Sequence, residues 1–447
     1  MKILLTTHQF FPQHAAGTEV LTLSVAKELI SRGHEVRVLT GHPGSSDMQE
    51  VERCDQYDFD GICVYRFHHA YVPMAGQTSM IEIGYDNRAA AEYFDKILER
   101  FNPDIVHFFH LNRLGTGLIK SAVRAKIPAF MTPTDFWSIC PTGQLVLGNG
   151  KLCSGPSVYA GNCVKHIGHS TNKSLGGSVV KLLPTVAVDF LVRLTEAQLL
   201  PPYPQRIEVK AIGSRLKTNV MRLNQLKKII SPNSFMTDKL IQHGVLPQLI
   251  VQSTYGIDVP KTAARKPRQP PLKPFRVGFI GTLAKHKGCH LLINAFKALP
   301  LGKALLKIYG SVEDFPYYSN NLKMLAENRD DINFCGTFNN SKIAEVLADL
   351  DVLVVPSLWY ENTPLVIYSA QAANCPVIAS NFPSISEVVC NQVNGLLFEA
   401  GNVNELTNQL LSLIDAPNLA TKLSNNSLQP KSTATYVDEL LNIWELK

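Results

Sequence analysis

At 447 residues, 45% of them hydrophobic and 18% charged, the chain has the balance of a soluble globular protein and the length for two to three domains, each with its own core. Its net charge of +6 favours small anionic ligands or an anionic surface only weakly and is too small to argue for nucleic acid, and no DNA- or RNA-binding pattern accompanies it. Nine cysteines in so long a chain fit a reducing cytoplasm better than a disulfide framework.

The opening "MKILLTTHQFF" has an apolar core too short for a secretory leader and reads as a first strand. A helix follows over "GTEVLTLSVAKELISRG", with Thr18 as its expected cap, Leu21, Val25 and Leu29 as its apolar stripe and Gly33 as its stop. "HEVRVLTG" is the next strand, and "YDFDGICVYRFHH" a turn and then a strand. "AAAEYFDKILERF" is a helix, "DIVHFFH" a strand, "GLIKSAVRAK" a helix and "PAFMTPTDF" a strand. Strands alternating with helices predict a parallel, doubly wound sheet.

From Gly143 to Ser174 the rhythm lapses into a long loop rich in glycine, serine and cysteine, the kind of segment that carries function or moves. Cys140, Cys153, Cys163 and His166 are a weak candidate for a structural zinc site, since Cys163 and His166 have the spacing of half a Cys₃His set. No catalytic metal or cofactor is expected. The apolar stretch "VVKLLPTVAVDFLVRL" is broken by Lys181, Asp189 and Arg193 and cannot span a bilayer as a simple helix. Between Arg206 and Lys228 lie seven basic residues and one acidic one, with Leu216, Val220, Leu223 and Leu226 at near-helical spacing. Two readings fit: a helix packed on the first domain, or a basic amphipathic helix in peripheral contact with an anionic membrane. The βαβ rhythm resumes with "IISPNSFMTDKLIQHG" and "IVQSTYGIDV".

Val259 to Arg276 carries five prolines and six basic residues without an apolar period, as an interdomain linker would. The rhythm then restarts: "RVGFIG" strand, "GCHLLINAFKAL" helix, "ALLKIYG" strand, "NFCGT" strand, "KIAEVLADL" helix, "DVLVVPS" strand. Loop residues Gly281 and Thr282 lead to Lys287-Gly288, where a lysine beside a helix start suits a diphosphate. In "WYENTPLVIYSAQAANCPVIAS", Glu361 stands at the carboxyl end of a strand, the edge where open α/β sheets bind ligands. Thr363 is the expected N-cap of the next helix and Pro364 its first residue. Asp58–Asp60 and Asp349–Asp351 match Asp-x-Asp, but both sit at turns or strand starts and read as structural.

The predicted architecture is thus two doubly wound Rossmann-like domains in tandem, facing a cleft. The first spans 1–260 with a long loop at 143–174. A linker covers 261–275, the second domain 276–425, and a final helix, 426–447, returns to the first. Taken in order, Gly17-Thr18-Glu19, "PDIVHFFH", "GTLAKHKG", "ENTPLVIYSAQAANCPVIAS" and "ISEVV" followed by "NGLLFEAGN" resemble the retaining glycosyltransferases of family four, the GT-B type.

That resemblance covers nearly the whole chain. It implies transfer from a nucleotide diphosphate sugar held mainly on the second domain, without a metal, with a developing negative charge stabilised by basic side chains and helix N-termini. By motif match Lys287 would hold the diphosphate, helped by N–H groups from Thr363 to Leu365, and Glu361 would bind the donor sugar. Gly17 and Thr18 would approach the phosphates, with Gly281, Thr282, Asn362, Pro364 and Ser369 completing the donor site. The acceptor, a glycan or lipid-linked glycan of polysaccharide or glycoconjugate assembly, would lie near His110 and Asp135. The setting would be the cytoplasm, at the inner face of the membrane for a lipid-linked acceptor. The chain departs from the family pattern in four places: Ser369 replaces the second glutamate, Thr282 an arginine, Phe109 a histidine and Thr134 a histidine. A glycosyltransferase-like subunit that has lost activity and binds a partner or glycan therefore stays open. So does an epimerase of the same fold. A nicotinamide enzyme is disfavoured, because neither first strand is followed by G-x-G-x-x-G.

Overall fold

The computed structural model describes residues 1–171, 180, 182–258, 273–362 and 364–445, arranged as two compact units. The first unit is Met1–Thr254 with the stretch from Thr433; the second is Tyr255–Ser432. The expected linker lies largely outside the described residues, which resume at 273.

The first unit is built on eight strands: β1 (Lys2–Thr7), β2 (Glu35–Pro43), β3 (Cys54–Phe59), β4 (Ile62–His69), β5 (Ile105–Phe108), β6 (Ala129–Met131), β7 (Lys228–Ser231) and β8 (Ile250–Gln252). Their order in the sheet is β3-β4-β2-β1-β5-β6-β7-β8, parallel except for the antiparallel β3–β4 pair. The second unit has six parallel strands: β9 (Phe275–Ile280), β10 (Ala304–Tyr309), β11 (Ile332–Gly336), β12 (Val352–Val355), β13 (Val377–Ser380) and β14 (Gly395–Phe398), in the order β11-β10-β9-β12-β13-β14. Strands β5, β6, β12, β13 and β14 are buried at every residue, which is why they read as largely apolar runs. In β12, Val352 and Val354 enter one core with Leu292, Phe296 and Leu410, while Leu353 and Val355 enter another with Ile367, Val377 and Ile385.

In both sheets the strand order reverses beside the first strand. The chain winds outward from β1 through β2 in one direction and through β5 in the other; β9 and β12 stand in the same relation. Loops leaving the carboxyl ends of such a neighbouring pair splay apart and leave room for a ligand.

Several expectations are corrected. The 143–174 segment is not all loop, for Gly161–Thr171 is a helix. Its start is capped from far away, by Asp189 Oδ1, which accepts from Ser157 Oγ (2.7 Å), Tyr159 N (3.2 Å) and Gly161 N (2.7 Å). Cys54–Phe59, taken in part as a turn, forms β3, closed onto β4 by Asp60 and Gly61, both at positive φ. Pro316–Leu325 is a helix that the sequence reading passed over. Thr18 does not cap the first helix; the N-cap is Ala16, and Thr18 lies inside Gly17–Ser31. Pro364 is the N-cap of Leu365–Ala372 rather than its first residue, and Thr363 lies outside the described residues.

The boundary between the units also differs from the expected one. Residues from Tyr255 belong to the second: Tyr255 OH accepts from Asn362 Nδ2 (2.8 Å) and Ile257 N donates to Lys431 O (3.0 Å). The final helix begins at Thr433, and everything before it back to Tyr255 stays with the second unit.

That helix, Thr433–Glu445, is anchored in the first unit by buried polar contacts. Trp444 Nε1 donates to His107 Nδ1 (3.2 Å), His107 Nε2 bonds Thr132 Oγ1 (2.9 Å), and Tyr436 OH meets the same hydroxyl (3.2 Å). Burial drives the His107 pKa down to about 3, so its ring is neutral and able to accept from the indole. Trp444→Ala removes a buried aromatic ring and orphans that acceptor, and is expected to cost about 3–5 kcal/mol. Chemical denaturation of the full chain measures it; a loss below about 1 kcal/mol would show that the helix is not part of the core.

Candidate functional site

Lys287 and Glu361 are brought together at the reversal point of the second sheet. After β9 the chain passes Gly281 and the half-buried Thr282 and makes a short 3₁₀ turn, Lys285–Lys287. Gly288 then leads into the helix Cys289–Lys297. Gly288 has φ +73, and a Cβ there would stand 1.8 Å from the carbonyl oxygen of Pro356, so glycine is demanded twice over. Leu358 N donates to His286 O (2.8 Å), tying the loop after β12 to the loop after β9.

Three donors converge on one oxygen of the buried Glu361. Lys287 Nζ, Ser357 Oγ and Trp359 Nε1 each lie 2.7 Å from Oε1. Burial by itself raises the carboxyl pKa, but the Lys287 charge and the three hydrogen bonds outweigh it and hold Glu361 below its ordinary value, and so ionised. The Lys287 ammonium also lies over the Trp359 ring, 5.0 Å from its centroid. An ammonium has three N–H donors, and Glu361 takes one, so Lys287 can meet a ligand oxygen without leaving its partner.

The surrounding residues are placed with less uniformity. Asn362 is buried and donates to Tyr255. Leu365 opens a helix whose start has no side-chain cap, leaving its first N–H groups available to an anion. Ser369, at the position of the family's second glutamate, turns its hydroxyl back to Leu365 O (3.1 Å), along its own helix.

In the first unit, the loops after β1, β5 and β6 bring Gly17, Thr18, His110 and Asp135 to the same sheet edge. Thr18 Oγ1 donates to Thr134 Oγ1 (2.9 Å), which donates on to Phe109 O (3.3 Å). His110 Nε2 lies 3.0 Å from Asp135 Oδ1, while its Nδ1 accepts from Asn112 N (3.0 Å). The Asn112 bond requires the lone pair on Nδ1, so the proton sits on Nε2 and points at Asp135. Both ring nitrogens are thus engaged, and His110 holds Asp135 rather than presenting a free base. Trp137 N donates to the same Asp135 oxygen (2.7 Å). Gly143, at φ +73, passes so close that a Cβ would stand 2.6 Å from Asp135 Oδ2.

Residues the sequence reading did not single out also gather here. The buried Glu19 has its Oε1 3.7 Å from His8 Nδ1, and the His8 ring lies 4.1 Å from that of His110. Burial raises the Glu19 pKa, opposed by the backbone N–H groups of Glu19 and Ala16, by His110 and by Gln9. Position alone could have flagged His8, the first residue after β1.

Other candidates resolve into structural roles. Arg276 pairs with Asp351 (2.7 Å) and Asp349 (3.1 Å), and Asp349 also holds Lys307; Asp60 pairs with Lys27 (2.7 Å) and Asp58 accepts from Gly61 N (3.0 Å). Neither Asp-x-Asp pair is disposed for a metal. Cys140, Cys153, Cys163 and His166 all line one small cavity, but among the described residues no group of three or more His, Cys, Asp or Glu side chains is placed to hold a metal ion. Cys153 Sγ meets Gly155 N (3.4 Å), and Cys140 Sγ meets Thr142 Oγ1 (3.3 Å). The basic helix is Arg206–Leu223, and it packs on the first unit through a polar face. Arg215 donates to Trp137 O, Asn219 to Ser138 O (2.9 Å), and Arg222 pairs with Asp86 (2.8 Å). It thereby supports the loop that carries Asp135.

Residues 260–429 match the family described as glycosyl transferases group 1, and residues 15–145 match glycosyltransferase family 4. Each unit of the chain thus matches a glycosyltransferase family. Its likeness to solved GT-B structures is one of fold: TM-score 0.66 at 17% identity, over 100% of both chains, with Anabaena HepE crystallised with UDP and glucose. An uncharacterized glycosyltransferase of Methanocaldococcus jannaschii is 30% identical over 33% of this chain and 40% of its own length. A GDP-mannose-dependent alpha-mannosyltransferase of Corynebacterium glutamicum is 28% identical over 41% of this chain and 43% of its own length. The chain thus matches less than half the length of either relative. In this glycosyltransferase fold the Lys287–Glu361 pair and the helix start at Gly17 and Thr18 each occupy the reversal point of their own sheet. No helix among the described residues is long and apolar enough to cross a membrane.

Proposed function

We propose that the protein transfers a sugar from a nucleotide diphosphate sugar to a glycan or lipid-linked glycan, with retention of anomeric configuration and without a metal, in polysaccharide or glycoconjugate assembly at the cytoplasmic side of a membrane. The observation that carries this reading is the convergence of Lys287, Ser357 and Trp359 on the buried Glu361 at the carboxyl edge of the second sheet. When the sugar–diphosphate bond breaks, its electron pair passes to the diphosphate and positive charge develops at the anomeric carbon. Lys287 and the uncapped helix start at Leu365 are suited to the first charge, and the ionised Glu361 to the second. Their groups are fixed before the donor arrives, so little reorganisation accompanies the reaction. In the first unit, Asp135, held by His110 and Trp137 N, is suited to an acceptor hydroxyl. The donors named for HepE and for the mannosyltransferase, UDP with glucose and GDP-mannose, set the first two nucleotides to try.

The test is calorimetric titration of the full chain with UDP, GDP and ADP. One diphosphate is expected to bind in the micromolar range, and Lys287→Ala to weaken it at least tenfold, about 1.4 kcal/mol. A second reading, a glycosyltransferase-like subunit that binds glycans or a partner without turnover, is favoured by the Ser369 hydroxyl turning back to its own helix. Absence of binding by all three nucleotides would decide for that reading.

A further inference from the structure

Arg113 stands on the loop after β5, three residues beyond His110, and nothing described so far uses it. Its φ of +69 places it in the left-handed region, uncommon for a non-glycine residue. Its guanidinium donates through Nη1 alone, to His8 O (3.2 Å) and Gln9 Oε1 (3.2 Å). Nε and Nη2 make no hydrogen bond among the described residues, and no carboxylate among them forms an ion pair with it. Those two nitrogens are one edge of the guanidinium plane, the edge that accepts a carboxylate or phosphate in two parallel bonds.

The sequence makes room for this charge. Gly41, near the end of β2, lies against it; a Cβ there would stand 2.8 Å from Arg113 Cβ and 2.9 Å from His8 O. The neighbours from the adjacent strand ends are imidazoles and not acids. His8 follows β1, His42 lies in β2 and His69 ends β4, so the loops and ends of four adjacent strands, β4-β2-β1-β5, contribute. Burial lowers the pKa of all three, to about 4 for His42 and His69, and the Arg113 charge lowers each further. Of the nearby carboxylates, Asp55 holds Arg66 (2.6 Å) and His68 (3.1 Å), while Glu19, whose charge acts on Arg113, is fully buried 3.7 Å from His8 and forms no ion pair with the guanidinium. A half-buried cation with no carboxylate in direct ion-pair contact is costly, and an anionic ligand on the open edge would supply that contact.

We propose that the Nε–Nη2 edge of Arg113 binds an oxyanion of the acceptor, so that the acceptor is an anionic glycan bearing a phosphate or a carboxylate close to the sugar that is extended. The word acceptor rests on the transferase reading above; the anion site itself does not. It gives a role to the open guanidinium edge that stands three residues beyond His110.

The experiment is a titration of the full chain, carrying Lys287→Ala so that the second unit's cation does not hold the probe. The probes are glucose 1-phosphate, glucuronate and methyl glucoside, followed by side-chain NMR of histidine. The resonances of His8, His42 and His69 are expected to move with one or both anions and not with methyl glucoside. Arg113→Gln should weaken that binding at least tenfold, and Arg113→Lys, which keeps the charge but loses the fork, by less. Response to glucose 1-phosphate alone assigns a phosphate-bearing acceptor; response to glucuronate alone assigns a uronic acid. If neither anion moves these histidines, or if Arg113→Gln binds as tightly as the parent, the proposal is wrong. Should the nucleotide titration fail while this one succeeds, the anion site stands and the transferase reading falls.

Discussion

Glu361→Gln is expected to lower sugar transfer by about 10²–10³-fold, the loss seen when one fixed charge-stabilising group is removed, while leaving the fold intact. Glutamine keeps the shape and an acceptor oxygen for Ser357 and Trp359, which both lie 2.7 Å from Oε1. It removes the charge and turns the other oxygen into an N–H donor. The charge is what would meet a developing positive centre, and it also fixes Lys287, at 2.7 Å. The effect should therefore appear in kcat more than in nucleotide affinity, because an interaction realised only in the transition state leaves ground-state binding little changed. Measurement of kcat and KM with the donor identified by calorimetry tests this. Retention of activity within about fivefold, well short of the effect of one lost stabilising group, would exclude Glu361 from the chemistry. Lys287→Ala should behave differently, raising the nucleotide Kd as well, since it would touch the diphosphate before and during the reaction.

Gly288→Ala is expected to be among the most damaging single substitutions in the second unit. Left-handed backbone costs a non-glycine residue about 1–2 kcal/mol. The added methyl would also stand 1.8 Å from Pro356 O, a backbone atom on the loop that carries Glu361. Backbone on both sides leaves no flexible side chain to give way, so the total should exceed about 4 kcal/mol, a range few substitutions reach. Gly302→Ala is the control. Gly302 has a similar φ of +76, but nothing lies within 4 Å of its Cβ position, so that variant should lose only the conformational part. Denaturation curves of the two variants separate strain from collision. Equal losses would mean that the approach to Pro356 relaxes freely.

Much of the architecture could be read from the chain. Apolar runs such as "DVLVVPS" and "RVGFIG" are β-branched and uninterrupted because both faces of those strands are covered, and they fell where β12 and β9 stand. The alternation with helices followed from amphipathic stripes such as Leu21, Val25 and Leu29. Gly33 announced a turn at φ +83 because only glycine enters that region cheaply. Lys287 and Glu361 were each legible as residues following a strand and near a helix start; that they pair was not.

What was not legible depends on groups distant along the chain. The Gly161–Thr171 helix looked like loop because its capping carboxylate, Asp189, comes from the segment after it. The Arg206–Leu223 helix left two readings open, packed on the first domain or lying on a membrane. Arg215 and Arg222 are buried with partners about 80 and 136 positions away, Trp137 O and Asp86. The cysteines and His166 shared a cavity but not a ligating geometry. Sequence could place His110 at the site; only the bonds to Asn112 N and Asp135 showed that both of its nitrogens are engaged. The amino-acid sequence by itself determined the elements, their parallel arrangement and the family, because local periodicity and turn chemistry act between near neighbours. Which side chains meet, which charges are paired and which, like Arg113, keep an edge open without a carboxylate ion pair was decided by the tertiary structure alone, since strand order and loop approach set those distances.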